Sequence, residues 1–316
     1  MYCLGFDIGG TKCAVVLAQC SGEKVSILAK EKCPTDLSIQ PEGMIDRLIQ
    51  MADRILEGKT VEAVGISCGG PLDSREGIIL GPPNLPGWNH VEIVKQIGAH
   101  YPVPVHLQND ANACAVAEWK FGAGRNTENM VFLTFGTGLG AGLILNGKLY
   151  AGTNDNAGEV GHIRLESFGP VGYGKAGSFE GFCSGGGIAQ LGYQLAMEQV
   201  QQGRCPGYFT PGMQPEQVTA KSIAQAAEAG DETAIRVYEI CGAQLGKGLA
   251  FLVDILNPQK IVIGSVFARA HHLLWESTRR VLEREALPQA LSCCQVVPAE
   301  LGEQIGDYAA IATGLL

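Results

Sequence analysis

The sequence lacks the features of several protein classes. None of its apolar runs is long enough to span a bilayer, and its first residues, MYCLGFDIGG, have no basic segment before an apolar one, so neither a membrane protein nor a secreted one is predicted. There is no Lys/Arg block in a chain of net charge −9, whereas a nucleic-acid-binding protein needs a basic face. The 11 cysteines include no CxxC pair, and their odd number and irregular spacing indicate reduced thiols in a cytoplasmic protein.

Three catalytic signatures are also missing. The chain contains neither the HExxH motif of metalloproteases nor a Walker A loop. Gly136, Gly138 and Gly140 have the spacing of a dinucleotide-binding loop, but that loop must lead into a helix. Here an apolar run follows and ends at Asn146-Gly147, the strongest two-residue hairpin signal. The sequence therefore argues against a Rossmann-type nucleotide site.

Glycine, by contrast, is abundant, with 43 residues. The glycines form short clusters without a three-residue period, which indicates tight turns or backbone close to a ligand and not a fibrous protein. A hydrophobic content of 46% with 17% charged residues describes a folded protein with a substantial core, and the length of 316 residues suggests two domains.

The order of the predicted elements indicates an α/β protein made of two similar lobes. Strands are predicted at 2–9, 12–19, 24–30, 61–67 and 103–108, and helices at 41–57, 90–99 and from 109. The three-stranded pattern of 2–30 returns at 129–150, which favours an internal duplication. After a Gly-rich stretch at 169–187 and a polar one at 201–217 come helices at 231–257, 267–286 and from about 306, with strands at 260–264 and 294–298.

Two Gly/Thr turns, Gly9-Gly10-Thr11 and Gly136-Thr137-Gly138, are candidate phosphate-binding hairpins. Glycine lets backbone N–H groups approach phosphate oxygens, and each threonine adds a hydroxyl donor. Asp7 lies two residues before the first turn, where it is placed to hold Mg²⁺ directly or through water. Either turn alone is explained equally well as a tight hairpin. Their occurrence in both lobes favours phosphate binding.

Asp110, in the segment Asn109-Asp110-Ala111-Asn112, is the candidate general base. It lies where the strand at 103–108 passes into a helix, and the carboxyl ends of strands carry the sites of open α/β sheets. Position alone favours the simpler explanation of a helix N-cap. Glu159 and His162 offer acceptors and donors to a polyhydroxylated ligand, although a surface glutamate and a capping histidine explain them equally well.

Taken together, these segments resemble one family. FDIGGTK (6–12), PNLPGW (83–88), NDANACAVAEW (109–119), GTGLGAG (136–142), AGEVGH (157–162) and NPQKIVIG (257–264) are similar, in this order, to motifs of the ROK family of sugar kinases and repressors. The resemblance implies an α/β, two-lobed actin/hexokinase-like (ribonuclease H-like) fold. Each lobe is expected to open with a three-stranded meander, and the active site is expected in the cleft between the lobes. The smaller lobe is expected to comprise 1–118 with the C-terminal helix at about 305–316, and the larger lobe 119–304.

The resemblance also assigns roles to individual residues. Asp110 matches the family's catalytic base. Substrate-binding positions are matched by Asn84, Asn109, Asp110, Glu159, His162 and Glu180. Nucleotide-binding positions are matched by Gly9, Gly10, Thr11, Lys12, Thr137, Gly138 and Gly264, to which the phosphate-loop argument adds Asp7 and Gly136. The expected cofactors are ATP and Mg²⁺, and the expected partners are a sugar and a second copy of the chain in a homodimer, without nucleic acid or membrane.

Two departures from the family pattern stand out. After the Glu-x-Gly-His motif the family reads CxCGxxGCxE, whose cysteines bind Zn²⁺ with the histidine, but here Val171, Tyr173 and Ser178 replace them. No structural zinc is expected, because a closed site needs four Cys or His ligands, and Tyr173 and Phe179 are expected to be buried instead. Gly264-Ser265 stands where the family has two glycines.

The predicted activity is ATP-dependent phosphorylation of a hexose or hexose derivative, with glucose or a related aldohexose preferred. N-acetylmannosamine kinases and fructokinases of the same family use nearly the same polar residues and stay open as alternatives, as does polyphosphate as the donor. A sugar-responsive repressor is the alternative of another class. Such repressors carry a helix-turn-helix domain before the kinase-like body, whereas the first strand here begins at residue 2. A kinase-like sugar sensor without turnover is a further alternative.

Overall fold

The computed structural model describes residues 1–22 and 24–316. In chain order, its first elements are β1 (Tyr2–Ile8), β2 (Lys12–Ser21), β3 (Lys24–Pro34), α1 (Pro41–Leu56), β4 (Ala63–Cys68), β5 (Leu72–Asp73), β6 (Ile78–Leu80), β7 (Asn89–Val91), α2 (Ile93–His100), β8 (Val105–Asn109) and α3 (Asp110–Phe121). Then follow β9 (Met130–Leu133), β10 (Ala141–Leu145), β11 (Lys148–Leu149), β12 (Val171–Gly172), β13 (Lys175–Ala176), α4 (Phe179–Phe182), α5 (Gly185–Gln201), α6 (Ala220–Glu228), α7 (Glu232–Leu256), β14 (Lys260–Ile263), α8 (Val266–Glu285), α9 (Pro288–Leu291), β15 (Gln295–Pro298) and α10 (Ile305–Thr313).

The first large sheet has the strand order β3-β2-β1-β4-β8. β1, β2 and β3 pair antiparallel, as the sequence predicts, and β4 and β8 extend the sheet in parallel from β1. Apolar side chains are buried in one cluster that includes Phe6, Leu48 and Ile66 and in another that includes Val16 and Ile311. Burial on both faces explains why these strands read as nearly continuous apolar runs.

Two strand glycines let the last helix pack directly on this sheet. A Cβ at Gly65 would lie 2.0 Å from the carbonyl oxygen of Ala310, and a Cβ at Gly5 would lie 2.8 Å from the Ala310 Cβ. Only glycine leaves room for a helix backbone at these distances. α10, from the end of the chain, therefore packs on β1 and β4, from its beginning.

The second large sheet has the strand order β11-β10-β9-β14-β15, with β14 and β15 parallel. The turn between β10 and β11 is Asn146-Gly147, and both residues have positive φ, 52° and 68°, as a type I′ hairpin requires. The glycine-rich segment after β9 thus leads into a strand and not into a helix. This geometry agrees with the argument against a Rossmann-type site.

Two regions differ from the sequence-based expectation. The Gly-rich stretch 169–187 contains the β12–β13 hairpin, α4 and the start of α5, which begins with three glycines after the Ser184 cap. Glycines have low helix propensity, so the apolar periodicity of α5 was hidden at its start. The helix predicted at 90–99 begins only at Ile93, because Asn89–Val91 pairs as an edge strand with β6.

The chain divides into two compact units. The first comprises Met1–Phe132, Gly142–Ala157 and Glu300–Leu316, and the second comprises Leu133–Ala141 and Gly158–Ala299. The lobe boundaries expected from the sequence stay a prediction. Across the described residues, no helix combines the length and apolarity that crossing a bilayer requires.

Candidate active site

Three carboxylates interact in the first unit. Burial, together with the negative charges of Asp307 and Asp110, raises the pKa of Asp7 to about 6, and the cations Lys12 and Lys30 oppose this rise. Asp307, a buried residue in the first turn of α10, accepts a 2.8 Å hydrogen bond from Lys30 Nζ. The Asp7 carboxyl, in β1, therefore lies close to two further acidic side chains, Asp110 and Asp307.

The turn between β1 and β2 is fixed by its own hydrogen bonds. Gly9 N donates to Lys12 O at 3.1 Å, and Thr35 Oγ1 donates to Gly9 O at 2.6 Å. Thr11 and Lys12 are exposed, so their side chains are accessible to a ligand. A Cβ at Gly10 would lie 2.2 Å from the carbonyl oxygen of Asn84, which only glycine avoids. The turn is thus held against the Asn84 loop.

Asn109 and Asp110 begin α3, where the sequence placed them. The Asn109 side chain caps the helix by accepting the Ala111 N–H at 2.9 Å, and Asp110 Oδ1 accepts the same N–H at 2.8 Å. Capping therefore belongs to Asn109, and Asp110 is the first helical residue. Added Cβ atoms at Gly69 and Gly70 would lie 3.4 Å from Asn84 Oδ1 and 3.1 Å from Asn109 Nδ2, so this segment contacts both asparagines.

In the second unit, Glu180 contacts the second Gly/Thr turn. Its Oε2 accepts the backbone N–H of Leu139 at 2.9 Å, and a Cβ at Gly138 would lie 2.7 Å from the same oxygen. A Cβ at Gly161 would lie 2.2 Å from Leu139 O. Glu180, which is predicted to bind the sugar, therefore lies against the turn that is predicted to bind phosphate. The segment from Glu159 to His162 lies beside them.

Glu159 and His162 lie at the two ends of one turn of 3₁₀ helix, Val160–His162 with Glu159 as its cap. His162 Nε2 is 3.9 Å from Glu159 Oε2. Both side chains are partly exposed, and Lys175 Nζ donates to the His162 carbonyl at 2.7 Å. This spacing suits two groups that bind neighbouring hydroxyls of one ligand.

The second Gly/Thr turn is also closed by backbone bonds. Gly136 N donates to Gly138 O at 2.9 Å, and Gly136 O accepts the N–H of Gly185 at the start of α5 at 2.8 Å. Gly264 N donates to Leu133 O at 2.9 Å, and a Cβ at Gly136 would lie 3.5 Å from Ser265 Oγ. Gly264 and Ser265 are thus neighbours of the turn, and Thr137 is exposed at its tip.

The segment that replaces the family's zinc loop is only partly as expected. Phe179 is fully buried, and a Cβ at Gly248 would lie 2.2 Å from its ring. The expectation that Tyr173 is buried is wrong: it is 73% exposed and has a φ of 44° at the tip of the β12–β13 hairpin, which directs it to solvent. Its ring contacts His162 edge-on, with centroids 5.2 Å apart.

Sequence reasoning missed Asp307 and Lys30. Their ion pair joins residues 277 positions apart, which no local pattern could reveal. The sequence offered one indication, Asp307 in the helix IGDYAAIAT. The other residues of this helix are mostly small or apolar, and an acidic side chain is rarely buried unless it is paired. Among the described residues, no group of three or more His, Cys, Asp or Glu is arranged to hold a metal ion.

Comparison with known proteins gives consistent matches. The sequence model of the ROK family matches residues 3–313. A glucokinase of Halalkalibacterium halodurans is 31% identical over 310 residues, covering 96% of this chain and 92% of that protein. The DNA-binding transcriptional dual regulator NagC of Escherichia coli is 29% identical over 325 residues, covering 100% of this chain and 76% of the regulator. A ROK family glucokinase from Streptomyces griseus, solved in complex with glucose and AMPPNP, superposes with a TM-score of 0.78 at 30% identity, covering 100% of this chain and 99% of that one. These likenesses confirm the predicted α/β, actin/hexokinase-like fold class.

Proposed function

The chain belongs to the ROK family, and from that membership we propose that it is a sugar kinase that transfers the γ-phosphate of ATP to a hydroxyl of a hexose. The observation that carries the proposal is the placement of the two Gly/Thr turns. In the first unit Gly10 packs on the loop of Asn84, and in the second unit Gly138 packs on Glu180. Each turn proposed to bind phosphate thus lies beside a residue proposed to bind sugar, as phosphoryl transfer between the two ligands requires.

Asp110 is proposed to accept the proton of the attacking sugar hydroxyl. It lies in the first turn of α3, directly after β8, and the carboxyl ends of strands carry the sites of open α/β sheets. A carboxylate of ordinary basicity suffices, since the transition state of phosphoryl transfer is loose and positioning dominates the catalysis. Asn84, Asn109, Glu159, His162 and Glu180 are proposed to orient the sugar for this step.

Asp7 fits a Mg²⁺ ion that accompanies ATP. Its carboxyl, with a pKa of about 6, is ionised at neutral pH, and carboxylate oxygen is a preferred ligand of this ion. The nearby charges of Asp110 and Asp307 favour a cation at the same place. When bound, the ion would offset the negative charge of the phosphates. Lys12 and the N–H groups of Gly10 and Thr11 are proposed to contact these phosphates, while the Gly9 N–H closes the turn by donating to Lys12 O.

Glucose or a related aldohexose is the proposed substrate, because the relatives from Halalkalibacterium and Streptomyces are glucokinases. N-acetylmannosamine and fructose are the alternatives. A panel of these sugars, with ATP or polyphosphate as donor, is assayed for phosphorylated product. Turnover of fructose without turnover of any aldohexose would reject the proposed substrate.

The general base is tested by Asp110→Asn. We expect kcat to fall by about 10²–10⁴-fold, while the dissociation constant for the sugar, measured by calorimetry, stays close to that of the unaltered protein. Asp46→Asn, at an exposed acid of α1, is the matched control and should leave kcat unchanged. Turnover by Asp110→Asn at near the unaltered rate would remove Asp110 from this role.

A sugar-responsive regulator is the second candidate, because NagC matches the whole chain. Sugar binding without any phosphorylated product, for every sugar and donor tried, would favour it over the kinase. The kinase proposal further expects a cytoplasmic homodimer without a nucleic-acid partner, in keeping with the net charge of −9.

We also propose that the fold needs no structural zinc. The positions aligned with the three cysteines are Val171, Tyr173 and Ser178, and Ser178 is occupied in capping α4 by accepting the Gly181 N–H at 3.0 Å. Cys183, the nearby thiol, is buried and donates to Cys241 O at 3.7 Å. Metal analysis of protein purified without chelator should find far less than one equivalent of zinc, and stoichiometric zinc at His162 would contradict this.

A further inference from the structure

A cavity of about 450 Å³ opens in the first unit at the C-terminal ends of α3 and α10. Its walls include Trp119, Lys120, Arg125, Asn126 and Leu315. None of these residues belongs to the proposed active site. The volume lies within the range of about 300–1,000 Å³ that is typical of sites for small molecules.

The cavity walls carry positive charge. Lys120 and Arg125 are its ionisable residues, and the part of the wall that the structure describes contains no Asp or Glu. Arg125 is paired with Glu300 at 3.1 Å. Lys120 contacts two neutral groups: its Nζ donates to Leu315 O at 3.4 Å and lies 5.6 Å from the centroid of the Trp119 ring. An anionic group on a ligand would therefore give Lys120 a charged partner.

The Trp119 side chain is held in a fixed orientation in the wall. Its Nε1 donates to the carbonyl of Thr127 at 2.8 Å, which satisfies its one polar atom. The ring, half-buried, then offers an apolar face to the cavity. A planar ring on the ligand can pack there, because offset stacking on an indole is favourable.

Helices α3 and α10 connect the cavity to the three interacting carboxylates Asp7, Asp110 and Asp307. α3 begins at Asp110 and, with 12 residues, is about 18 Å long at 1.5 Å per residue. α10 carries Asp307 in its first turn, and the charges of Asp110 and Asp307 both act on Asp7. α3 and α10 pack against each other. The packed pair α3 and α10 therefore connects the cavity to these carboxylates.

We propose that this cavity is an effector site for a small organic anion that carries a planar ring, and that its occupancy alters sugar affinity. The effect on sugar affinity rests on the proposed kinase function. Coupling between the sites requires that the ligand bind the two states of the helix pair unequally.

Binding is tested on the full chain with naphthalene-2-sulfonate and with its neutral isostere naphthalene-2-sulfonamide, by calorimetry and by tryptophan fluorescence. We expect saturable binding of the sulfonate, about tenfold tighter than that of the sulfonamide, which is the worth of one charge-assisted hydrogen bond. Lys120→Gln should abolish this preference, whereas Lys95→Gln, at an exposed lysine of α2, should retain it. Equal affinity for both probes, or an unchanged preference in Lys120→Gln, would overturn the anion site.

Coupling is tested by titrating glucose calorimetrically with and without saturating sulfonate. We expect the dissociation constant of glucose to change by about fivefold, as typical allosteric coupling does, and Lys120→Gln to remove the change. Sulfonate binding without any change in glucose affinity would overturn the effector role. The binding experiment with the sulfonate and the sulfonamide requires no turnover, so it tests the site even if the protein is not a kinase. If neither probe binds, the result of the kinase assay is not affected.

Discussion

At the scale of the residue, Asp7 lies within a set of opposing charges. Its carboxyl has a pKa of about 6 in the fold against an ordinary value of 3.8, because burial and the charges of Asp307 and Asp110 outweigh Lys12 and Lys30. Between these two values the unfolded chain releases a proton that the folded protein keeps. The contribution of Asp7 to stability therefore falls as the pH rises from about 4 to about 6 and stays low above that.

Asp7→Asn should consequently stabilise the protein at about pH 7.5 and lose most of that advantage at about pH 4, where the carboxyl of the folded protein is protonated and uncharged. Urea unfolding of both proteins at the two pH values measures this difference. Asp46→Asn, at an exposed acid, should show no such pH dependence. An effect of Asp7→Asn that is equal at both pH values would disprove the raised pKa.

Ser265 adopts a backbone conformation that suits glycine. Its φ of 53° and ψ of −111° lie in a region that side chains disfavour, at the position where the family has a second glycine. Ser265→Gly should raise the free energy of unfolding by about 1 kcal/mol, because relief of strain exceeds the entropy cost of glycine. Ser292→Gly, where φ is −62°, should lower it slightly. A loss of stability in Ser265→Gly would refute the strain.

At the scale of the element, Glu118 ties the end of α3 to the segment that leads to α10. It is fully buried, and its carboxylate accepts the N–H groups of Ala123 at 2.8 Å, Glu300 at 3.3 Å and Leu301 at 2.9 Å. A Cβ at Gly122 would lie 2.1 Å from Glu118 Oε2, so the chain passes close to it. The Glu118 carboxylate thus accepts hydrogen bonds from two segments that are far apart in sequence, the one after α3 and the one before α10.

Glu118→Gln keeps the shape but replaces one acceptor oxygen with a donor, which opposes a backbone N–H in a buried site. We expect the free energy of unfolding to fall by about 2 kcal/mol or more, measured by urea unfolding. Glu76→Gln, at an exposed loop residue of the same unit, should change it little. A neutral effect at Glu118 would mean that water or rearrangement satisfies these groups.

The longer strands, and the helices whose apolar pattern is continuous, could be predicted from the sequence. β1, β2 and α7 begin and end within two residues of the predicted positions. α5 and the hairpins β5–β7 and β12–β13 were not predicted, because glycine clusters and two- or three-residue strands carry too little periodicity. Of the site, Asn109 and Asp110 could be placed at a strand end from sequence, whereas the Lys30–Asp307 pair depends on tertiary packing alone.

At the scale of the whole molecule, the two large sheets have the same strand order. β3-β2-β1-β4-β8 and β11-β10-β9-β14-β15 each place a three-stranded segment beside two strands from later in the chain. In each sheet the last two strands are parallel. This correspondence supports the internal duplication that the loose sequence likeness suggested.

The second unit also exposes an apolar surface that suits a homodimer. Phe251 and Ile255, one turn apart on α7, are 46% and 73% exposed, and Leu287, at 56%, is held beside them by its N–H, which donates to Asp254 Oδ1 at 2.8 Å. Neighbouring exposed apolar side chains commonly mark an interface between chains. We therefore expect a dimer in sedimentation velocity experiments, and we expect Ile255→Glu to shift it towards monomer, because a carboxylate would be desolvated on association.

Phe168→Glu, at an 81% exposed residue of the same unit, is the matched control and should leave the dimer intact. A dimer that persists unchanged in Ile255→Glu would place the interface on another surface, and a monomer at all concentrations would remove the homodimer from the proposal.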